Sequence, residues 1–410
     1  MDLLRSASHF SAVRFIHRHR FIATRAARRL NVRSSLPFSE QKAKYYKELQ
    51  AAVDVVERAC RLCVDVKSSL LPIDGRILEK NDSTPVTVAD FGVQALISLE
   101  LGKLFPSIPL VAEEDSTFLR STNLADTVFN AVTAKASSTD KPCTQADVLE
   151  AIDRGGKDAF AFGSKPATYW VLDPIDGTRG FVRATKALYV VGLALVVEGE
   201  IVIGVMGCPN WQEDLSKSTA EIQESNDIVS GSGTIMIAHV GYGTWTRRFS
   251  FVQNGMPKLP GDWTRCFVDG SNLVHKARFC IPDSQTWESL PLSALFNATS
   301  NADGVGDNQI LLLSICCGSL SKYMMVASGR ASVFILRAKE KTTIKAWDHA
   351  VGMICIQEAG GNVTDWKGNE VDLAADQFSR RIIFPSGGVL VTNGNLHHQI
   401  LQMISQASTV

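Results

Sequence analysis

The chain has 410 residues, of which 45% are hydrophobic and 20% are charged, as in a soluble globular protein. No apolar run reaches the roughly 18 residues that a membrane-spanning helix requires, which excludes a transmembrane protein. The formal net charge is zero, but residues 1–36 hold eight arginines against one acid, Asp2, so the rest of the chain is acidic. An acidic chain of this kind argues against non-specific nucleic-acid binding.

The arginine-rich segment at residues 1–36 also contains Phe, Ile, Leu and Ser, a composition typical of an organelle transit peptide. The alternative is a basic arm that binds nucleic acid or an anionic surface. The terminal position favours targeting, since the segment ends just before strong helical periodicity begins. Its arginine density favours the mitochondrion over the chloroplast. We expect the rest of the chain to form two α/β subdomains, at residues 37–210 and 211–410.

After this leader, apolar residues recur with the period of a helix in some segments and of a strand in others. Thr144 and Asp147 have the spacing of a capping box, which predicts the start of a short helix. Up to residue 180 the predicted elements are helices at 41–70, at about 89–105 and after Thr144, and strands at 110–112 and 169–172.

The second half of the chain begins with two pairs of apolar strands, each separated by a short turn as in a β-hairpin. Beyond residue 280 strands and helices alternate without internal repeats, which is typical of a layered α/β fold. The predicted elements are strands at 188–197, 200–207, 234–240, 244–251, 310–315, 331–336 and 389–392, and helices at 285–297, 319–328, 347–359 and 396–405.

The nine cysteines show no spacing that indicates a disulfide framework. Cys60 and Cys63 lie inside the first predicted helix, and no second pair completes a zinc site. Ordinary half-buried thiols are the favoured interpretation, with a redox role as the alternative. Cys316 and Cys317 are predicted to belong to the core.

Acidic residues stand where predicted elements begin or end, in four separate segments. Asp90 and Glu113 can lie side by side. A helix from Asp90 to residue 105 advances about 22 Å, and the extended residues from there to Glu113 return about 26 Å. Each acid alone has an ordinary explanation, in the first turn of a helix or in a solvated loop. The acids concerned are Asp90, Glu113, Asp173, Asp176 and Asp348.

The string at residues 173–178, Asp-Pro-Ile-Asp-Gly-Thr, is more specific. Asp173 and Asp176 at a turn can clamp one hard cation, and the carbonyl of Ile175 can supply another oxygen, as Mg²⁺ prefers. Gly177 and Thr178 then place backbone N–H groups at a predicted helix start, where a phosphate would bind. The string therefore indicates a site for a metal ion and a phosphate.

With these motifs, the chain resembles the 3′(2′),5′-bisphosphate nucleotidases, or PAP phosphatases, of the inositol monophosphatase superfamily, especially their plant organellar branch. The resemblance implies a fold of alternating helix and sheet layers, and hydrolysis of 3′-phosphoadenosine 5′-phosphate (PAP) to AMP and phosphate. The 5′-phosphosulfate PAPS is a further expected substrate, and lithium an expected inhibitor. The matching stretches lie at residues 80–90, 111–116, 170–181, 321–323, 347–352 and 358–361.

The resemblance also implies roles for the acids. One Mg²⁺ would be held by Glu113, Asp173 and the carbonyl of Ile175, and a second by Asp173, Asp176 and Asp348. A third, weaker ion would bind near Asp90 and Glu113 through waters. The catalytic residues would be Thr178, which orients and activates the attacking water, and Asp90, which polarises the Thr178 hydroxyl.

Substrate-binding positions are also implied: Gly177 and Thr178 for the phosphate, and Ser319, Lys322 and Arg337 for the nucleotide. Two departures from the family pattern bear on the nucleotide. One extra residue precedes Arg337, so that Leu336 takes its aligned position. Trp287 stands where the family has a histidine; it could stack on adenine or belong to the core.

Two other functions remain open at this point. An inositol polyphosphate 1-phosphatase or inositol monophosphatase would use the same acids on another small phosphorylated substrate. An inactive nucleotide-binding sensor is a hypothesis from a different class, but the presence of every metal-binding acid argues against it. The oligomeric state is not determined by the sequence.

Overall fold

The structure is a computed structural model that describes residues 36–70, 77–79, 85–137, 142–182, 187–211, 232–250, 261–301, 306, 308–313, 315–339 and 343–407. Leu36–Val410 form one compact unit. The predicted leader at residues 1–36 lies outside the described residues except for its last one, Leu36. Within the described ranges, every helix is too short or too polar to cross a bilayer.

Helices flank the sheets and lie between them. They are α1 (Tyr46–Leu70), α2 (Val88–Leu104), α3 (Thr117–Arg120), α4 (Ala125–Thr133), α5 (Gln145–Asp153), α6 (Thr178–Val182), α7 (Leu320–Ala327), α8 (Ala350–Glu358) and α9 (His397–Ala407). Helix α5 begins with the predicted capping box. The Thr144 amide donates to Asp147 Oδ2 at 2.8 Å, and the Asp147 amide donates to Thr144 Oγ1 at 3.2 Å.

In the described part of the chain, the nine predicted strands lie close to their predicted positions, and eight further short strands were not predicted. They are β1 (Ile77–Glu79), β2 (Pro85–Thr87), β3 (Leu110–Ala112), β4 (Tyr169–Asp176), β5 (Val190–Val197), β6 (Glu200–Cys208), β7 (Ser232–His239), β8 (Gly243–Ser250), β9 (Thr264–Arg265), β10 (Arg278–Cys280), β11 (Asn297–Thr299), β12 (Gln309–Leu313), β13 (Val333–Arg337), β14 (Ile344–Lys345), β15 (Asn362–Asp365), β16 (Ile382–Ile383) and β17 (Gly388–Thr392).

The first large sheet has the strand order β3-β4-β5-β6-β7-β8-β9. Strand β4 is buried along its whole length and has a parallel neighbour, β3, and an antiparallel one, β5. Its side chains alternate between the two faces. Trp170 and Leu172 pack with α1 and α2, whereas Tyr169 and Val171 pack with α7 and α8.

The second large sheet has the order β11-β12-β10-β13-β17-β15. Phe334 and Val391 face α7 and α8, and Val333 and Leu390 face α9 on the other side. The layers are therefore α1 with α2, the first sheet, α7 with α8, the second sheet, and α9. This arrangement confirms the predicted α/β fold of alternating helix and sheet layers.

The predicted division at residue 210 does not coincide with a break in the first sheet. Strand β6 lies before that residue and β7 after it, and the two pair in an antiparallel manner from Ile203 opposite His239 to Cys208 opposite Thr234. Residues 212–231, within the expected boundary region, lie outside the described part of the chain.

The prediction of a helix at residues 285–297 is wrong. Two short 3-10 turns stand there instead, Trp287–Ser289 and Pro291–Ala294. The reason is Pro291, which disfavours helical backbone at the preceding residue. Leu290 is accordingly extended, with φ −99° and ψ 146°, and it separates the two turns.

The cysteines are mostly buried. Cys60 and Cys63 lie in α1 as free thiols that are fully inaccessible to solvent, and burial raises the pKa of both. A buried thiol with a raised pKa is a poor nucleophile, so the burial of Cys60 and Cys63 favours ordinary packing over a redox role. Cys316 and Cys317 form a disulfide bond with each other, and only Cys317 is fully buried.

Candidate active site

Three carboxylates converge where the first sheet meets the central helix layer. Oxygen atoms of Asp173, Asp176 and Asp348 all lie within 4.8 Å of one another. Asp173 and Asp176 are almost completely buried, and Asp348 is half-buried. Acids from two distant segments thus share one site, as predicted.

An irregularity in β4 allows two of these acids to meet. Residues three apart on a regular strand point to opposite faces of the sheet. The register between β4 and β5 shifts between Asp173 and Asp176, across Pro174 and Ile175. Pro174 has no backbone N–H to donate to the ladder, so the strand departs from regular pairing at this point.

Electrostatics place the other two predicted acids in the same site. Burial raises the pKa of Asp173 well above its usual value, and the charges of four other acids raise it further. Those acids, in order of effect, are Asp176, Glu113, Asp348 and Asp90. The structure therefore brings all five predicted acids into one neighbourhood.

This set of donors fits a divalent cation. Asp173 Oδ1 is buried and has no hydrogen-bond partner among the described residues, which is costly for a carboxylate oxygen. Burial, followed by the charges of Asp176 and Glu113, also raises the pKa of Asp348 well above its usual value. Clustered carboxylate oxygens are the ligands that Mg²⁺ prefers, and its charge would offset their repulsion.

Asp176 is fixed by the start of α7. Its Oδ1 accepts the Ser319 amide at 2.9 Å and its Oδ2 accepts the Leu320 amide at 2.6 Å. Burial raises the pKa of Asp176 to about 6, although the Ser319 amide and the positive charge of Lys322 act in the opposite direction. The helix start therefore orients this carboxylate toward its neighbours.

Gly318 is a site residue that the sequence analysis did not single out. Its φ is +71°, and a Cβ at this position would lie only 2.2 Å from Asp176 Oδ2. The backbone approaches the carboxylate so closely that only glycine fits. A glycine just before a predicted helix with an N-terminal serine was the available sequence signal.

Thr178 begins α6, immediately after Gly177. Its hydroxyl lies 3.0 Å from the Ile175 carbonyl and 3.3 Å from Asp90 Oδ1, and it can donate to one of them at a time. Gly177 has φ +92°, which favours glycine, and a Cβ there would lie 3.1 Å from the Leu188 carbonyl. The structure thus brings together both predicted catalytic residues and Ile175.

Lys322 lies beside the acids but is fully buried. Its Nζ donates to the Gly318 carbonyl at 2.6 Å. Burial lowers the pKa of Lys322, while the negative charge of Asp176 raises it. In this position the ammonium group faces Gly318 and neutralises part of the acid charge. Ser319, the other predicted nucleotide residue on this segment, is partly accessible to solvent.

Arg337 is not brought to the acids. It shares a face of β13 with Val333 and Ile335, which pack toward α9. Its Nη1 donates to the Ser289 carbonyl at 2.6 Å, and its side chain is exposed. Leu336, on the other face, packs with the central helices. The extra residue before Arg337 explains this placement, because a one-residue shift reverses the faces of a strand.

Trp287 is a core residue. It is 3% exposed, its Nε1 donates to the Phe296 carbonyl at 2.8 Å, and its ring contacts Phe279 edge to face at 5.5 Å. It packs on the α9 side of the second sheet, so of the two readings of Trp287 the core one is supported.

The sequence matches the inositol monophosphatase family over residues 40–409. A protein of Arabidopsis thaliana named as a mitochondrial 3′(2′),5′-bisphosphate nucleotidase is 60% identical over 409 residues, which cover 100% of this chain and 99% of that protein. A 3′,5′-bisphosphate nucleotidase of the same organism is 36% identical, with 84% of this chain and 93% of the relative covered.

Solved structures show the same fold at low sequence identity. The IMPase of Thermotoga maritima has a TM-score of 0.51 and 18% identity, covering 88% of this chain and 98% of its own. The extragenic suppressor protein suhB of Bartonella henselae has a TM-score of 0.52 and 17% identity, covering 87% and 98%.

Proposed function

Because the chain belongs to the inositol monophosphatase family, we propose that it is a Mg²⁺-dependent phosphatase that hydrolyses the 3′-phosphate of PAP to give AMP and phosphate. PAPS is a further proposed substrate. The observation that carries the proposal is the convergence of Asp173, Asp176 and Asp348 within 4.8 Å, with an unsatisfied oxygen on Asp173. The names of the relatives favour a bisphosphorylated nucleotide.

The acids are the proposed ligands of two Mg²⁺ ions, with a third ion near Asp90 and Glu113. When bound, Mg²⁺ would offset the charge of the phosphate and make hydroxide available near neutral pH. Phosphate monoesters hydrolyse so slowly in water that an acceleration of up to ~10²¹-fold is needed. The proposed ligands are Glu113, Asp173, the Ile175 carbonyl, Asp176 and Asp348.

The chain's own groups would orient the attacking water. The Thr178 hydroxyl can donate to Asp90 Oδ1, which leaves a lone pair on Thr178 Oγ1 free to accept a hydrogen bond from water. A proton leaving the water toward Thr178 would be balanced by transfer of the Thr178 proton to the Asp90 carboxylate. Water held in this way would face the phosphorus atom with its own lone pair available. We assign Thr178 and Asp90 the catalytic roles, and the N–H groups at Gly177 and Thr178 the binding of the phosphate.

An inositol phosphatase is the second candidate. Trp287 replaces the histidine of the family pattern and is buried, and Arg337 faces away from the acids. Two expected adenosine contacts are therefore missing, and Ser319 and Lys322 are the remaining proposed nucleotide positions. No nucleic-acid or membrane partner is proposed.

Phosphate release tests the substrate. Residues 36–410, which form one compact unit, would be assayed with Mg²⁺ on PAP, PAPS, inositol 1,4-bisphosphate and inositol 1-phosphate. We expect PAP to have the highest kcat/KM, and lithium to inhibit. Faster release from either inositol phosphate would assign the chain to the second candidate.

We also propose that the protein acts in the mitochondrion. The arginine-rich leader and the name of the Arabidopsis relative support this location. Residues 1–36 fused to a fluorescent protein should enter mitochondria in plant cells. Import into chloroplasts would favour the alternative location, and a cytosolic signal would reject the transit peptide.

A further inference from the structure

The end of β3, where Glu113 lies, is held by a side chain from α2. Gln94 is fully buried, and its Nε2 donates to the Glu114 carbonyl at 2.6 Å and to the Ile152 carbonyl at 2.8 Å. Its Oε1 accepts the Glu114 amide at 2.8 Å. Gln94 lies one helical turn after Asp90, so these bonds connect the Asp90 helix directly to the Glu113 strand end.

A second side chain holds the same strand end from the opposite part of the chain. Arg381 donates from Nη2 to the Glu113 carbonyl at 3.3 Å and from Nη1 to the Gly155 carbonyl at 3.1 Å. Its guanidinium lies over the ring of Trp347, 4.8 Å from the ring centre. Trp347 immediately precedes Asp348.

The backbone of Arg381 strengthens this connection. Its carbonyl accepts the Ala346 amide at 2.9 Å, beside the pairing of β14 with β16. The segment that leads to Asp348 is thus tied to Arg381 through both a backbone hydrogen bond and a cation–π contact. Arg381 therefore contacts two of the segments that supply acids to the site.

We propose that Gln94 and Arg381 are positioning residues that fix Glu113 relative to Asp90 on one side and Asp348 on the other. The inference rests on the proposed metal-dependent function. Metal ligands must be held within about 0.5 Å of their productive positions, and groups that orient ligands change metal affinity or activity by roughly 10–100-fold when removed. Neither side chain is itself a proposed ligand.

Arg380 provides a matched control next to Arg381. It is 1% exposed and donates to the carbonyls of Gly163 at 2.6 Å, Lys165 at 3.0 Å and Ala374. None of these residues carries an acid of the site. The same substitution at the two adjacent arginines therefore separates positioning of Glu113 from general packing.

The test is calorimetric titration of Mg²⁺ into the metal-free protein of residues 36–410, together with its thermal transition in a chelator. We expect Arg381→Lys to weaken Mg²⁺ binding roughly 10-fold and Arg381→Ala to weaken it further, because lysine cannot reproduce the two-pronged donation. Arg380→Lys should leave Mg²⁺ affinity unchanged, even where it lowers the thermal transition. Gln94→Met should weaken binding from the other side.

The outcomes separate this inference from the proposed function. A wild-type protein that binds no Mg²⁺ would reject the proposed function. A wild-type protein that binds Mg²⁺, with Arg381→Ala and Gln94→Met binding it equally well, would overturn the positioning role alone. Equal weakening by Arg380→Lys and Arg381→Lys would also overturn it, since the effect would then be one of packing.

Discussion

Thr178 has the most specific geometry of any single residue in the site. One hydroxyl lies within hydrogen-bonding distance of both Asp90 and the Ile175 carbonyl, the first a proposed catalytic partner and the second a proposed ligand. The family resemblance implied the roles of Thr178 and Asp90, because on its own each residue has an ordinary explanation at the start of a helix. Thr178 and Asp90 are 88 residues apart in the sequence, and the fold brings them into contact.

Replacing this hydroxyl should affect turnover more than binding. We expect Thr178→Ala to lower kcat by roughly 10²–10⁴-fold with little change in KM, because general-base assistance to the water is lost. Thr178→Ser, which keeps the hydroxyl, should retain most of the activity. Steady-state kinetics on PAP decide the matter; a raised KM at unchanged kcat would contradict the role.

Glu100 gives a residue-scale prediction about stability. Burial alone would raise its pKa, but hydrogen bonds from Ser137 and the charge of Arg58 outweigh burial and lower the pKa to about 2. Because the folded pKa is depressed, this stabilisation is complete above the unfolded value of about 4.3 and is lost as the pH falls toward 2.

Glu100→Gln should therefore lower the free energy of unfolding at pH 7, and the difference from wild type should shrink between pH 5 and pH 3. Urea unfolding at a series of pH values measures it. The same substitution at exposed Glu200 serves as the control. A difference that stays constant with pH would mean that the charge of Glu100 contributes nothing.

The residues predicted to bind a nucleotide are brought to the acids less completely than the acids are brought to one another. Asp173 and Asp176 are specified by a short local string, and the other three acids lie in the stretches that carry the family resemblance. The direction of Arg337 depends instead on a single-residue register in β13. The role of Trp287 likewise depends on the side of the second sheet against which its ring packs. Gln94 and Arg381 were missed because amide and guanidinium contacts to distant backbone carbonyls leave no local pattern in the sequence.

At the scale of elements, the start of α7 is the decisive feature. Its first amides hold Asp176, and Gly318 allows the chain to pass within contact of that carboxylate. The helix itself was predicted within one residue of its ends, because its apolar residues recur with helical spacing. The role of this helix in holding Asp176 was not predicted, because it depends on a contact between distant parts of the chain.

Gly318→Ala should impair the site. The new Cβ would collide with Asp176, so we expect a higher Mg²⁺ concentration for half-maximal activity and a lower kcat. Gly329→Ala, at the other end of α7, is the control, since Gly329 has a similar φ of +69° but an added Cβ there would lie 3.0 Å from the Phe267 carbonyl, away from the acids. Both variants should lose about 1 kcal/mol of stability from backbone strain. Equal activity in the two variants would reject the role of Gly318.

At the scale of the whole molecule, the central helix layer must fit between two sheets. Gly352 of α8 allows this, because a Cβ there would lie 2.2 Å from the ring of Tyr323 on α7. Tyr323 is fully buried and cannot move into solvent. The alternation of sheet and helix layers was predictable from the element order together with the family resemblance. The close approach of α7 and α8 was not, because it arises only when the layers are assembled.

Gly352→Ala should therefore destabilise the fold by about 1–3 kcal/mol, the usual cost of overpacking. Gly270→Ala is the control, since a Cβ at Gly270 meets nothing within 4 Å. Urea unfolding of both variants measures the difference. Equal stability would show that the two central helices can separate without cost.

The convergence of acids from four segments is tested most directly by Asp173→Asn. Phosphate release from PAP would be measured for the wild type and the variant, with Mg²⁺ and with a chelator, alongside their thermal transitions. We predict Mg²⁺-dependent release by the wild type, none above background by Asp173→Asn, and a thermal transition that the substitution leaves largely in place. Full release by the variant, or release by the wild type in the chelator, would contradict a metal-dependent site built on these carboxylates.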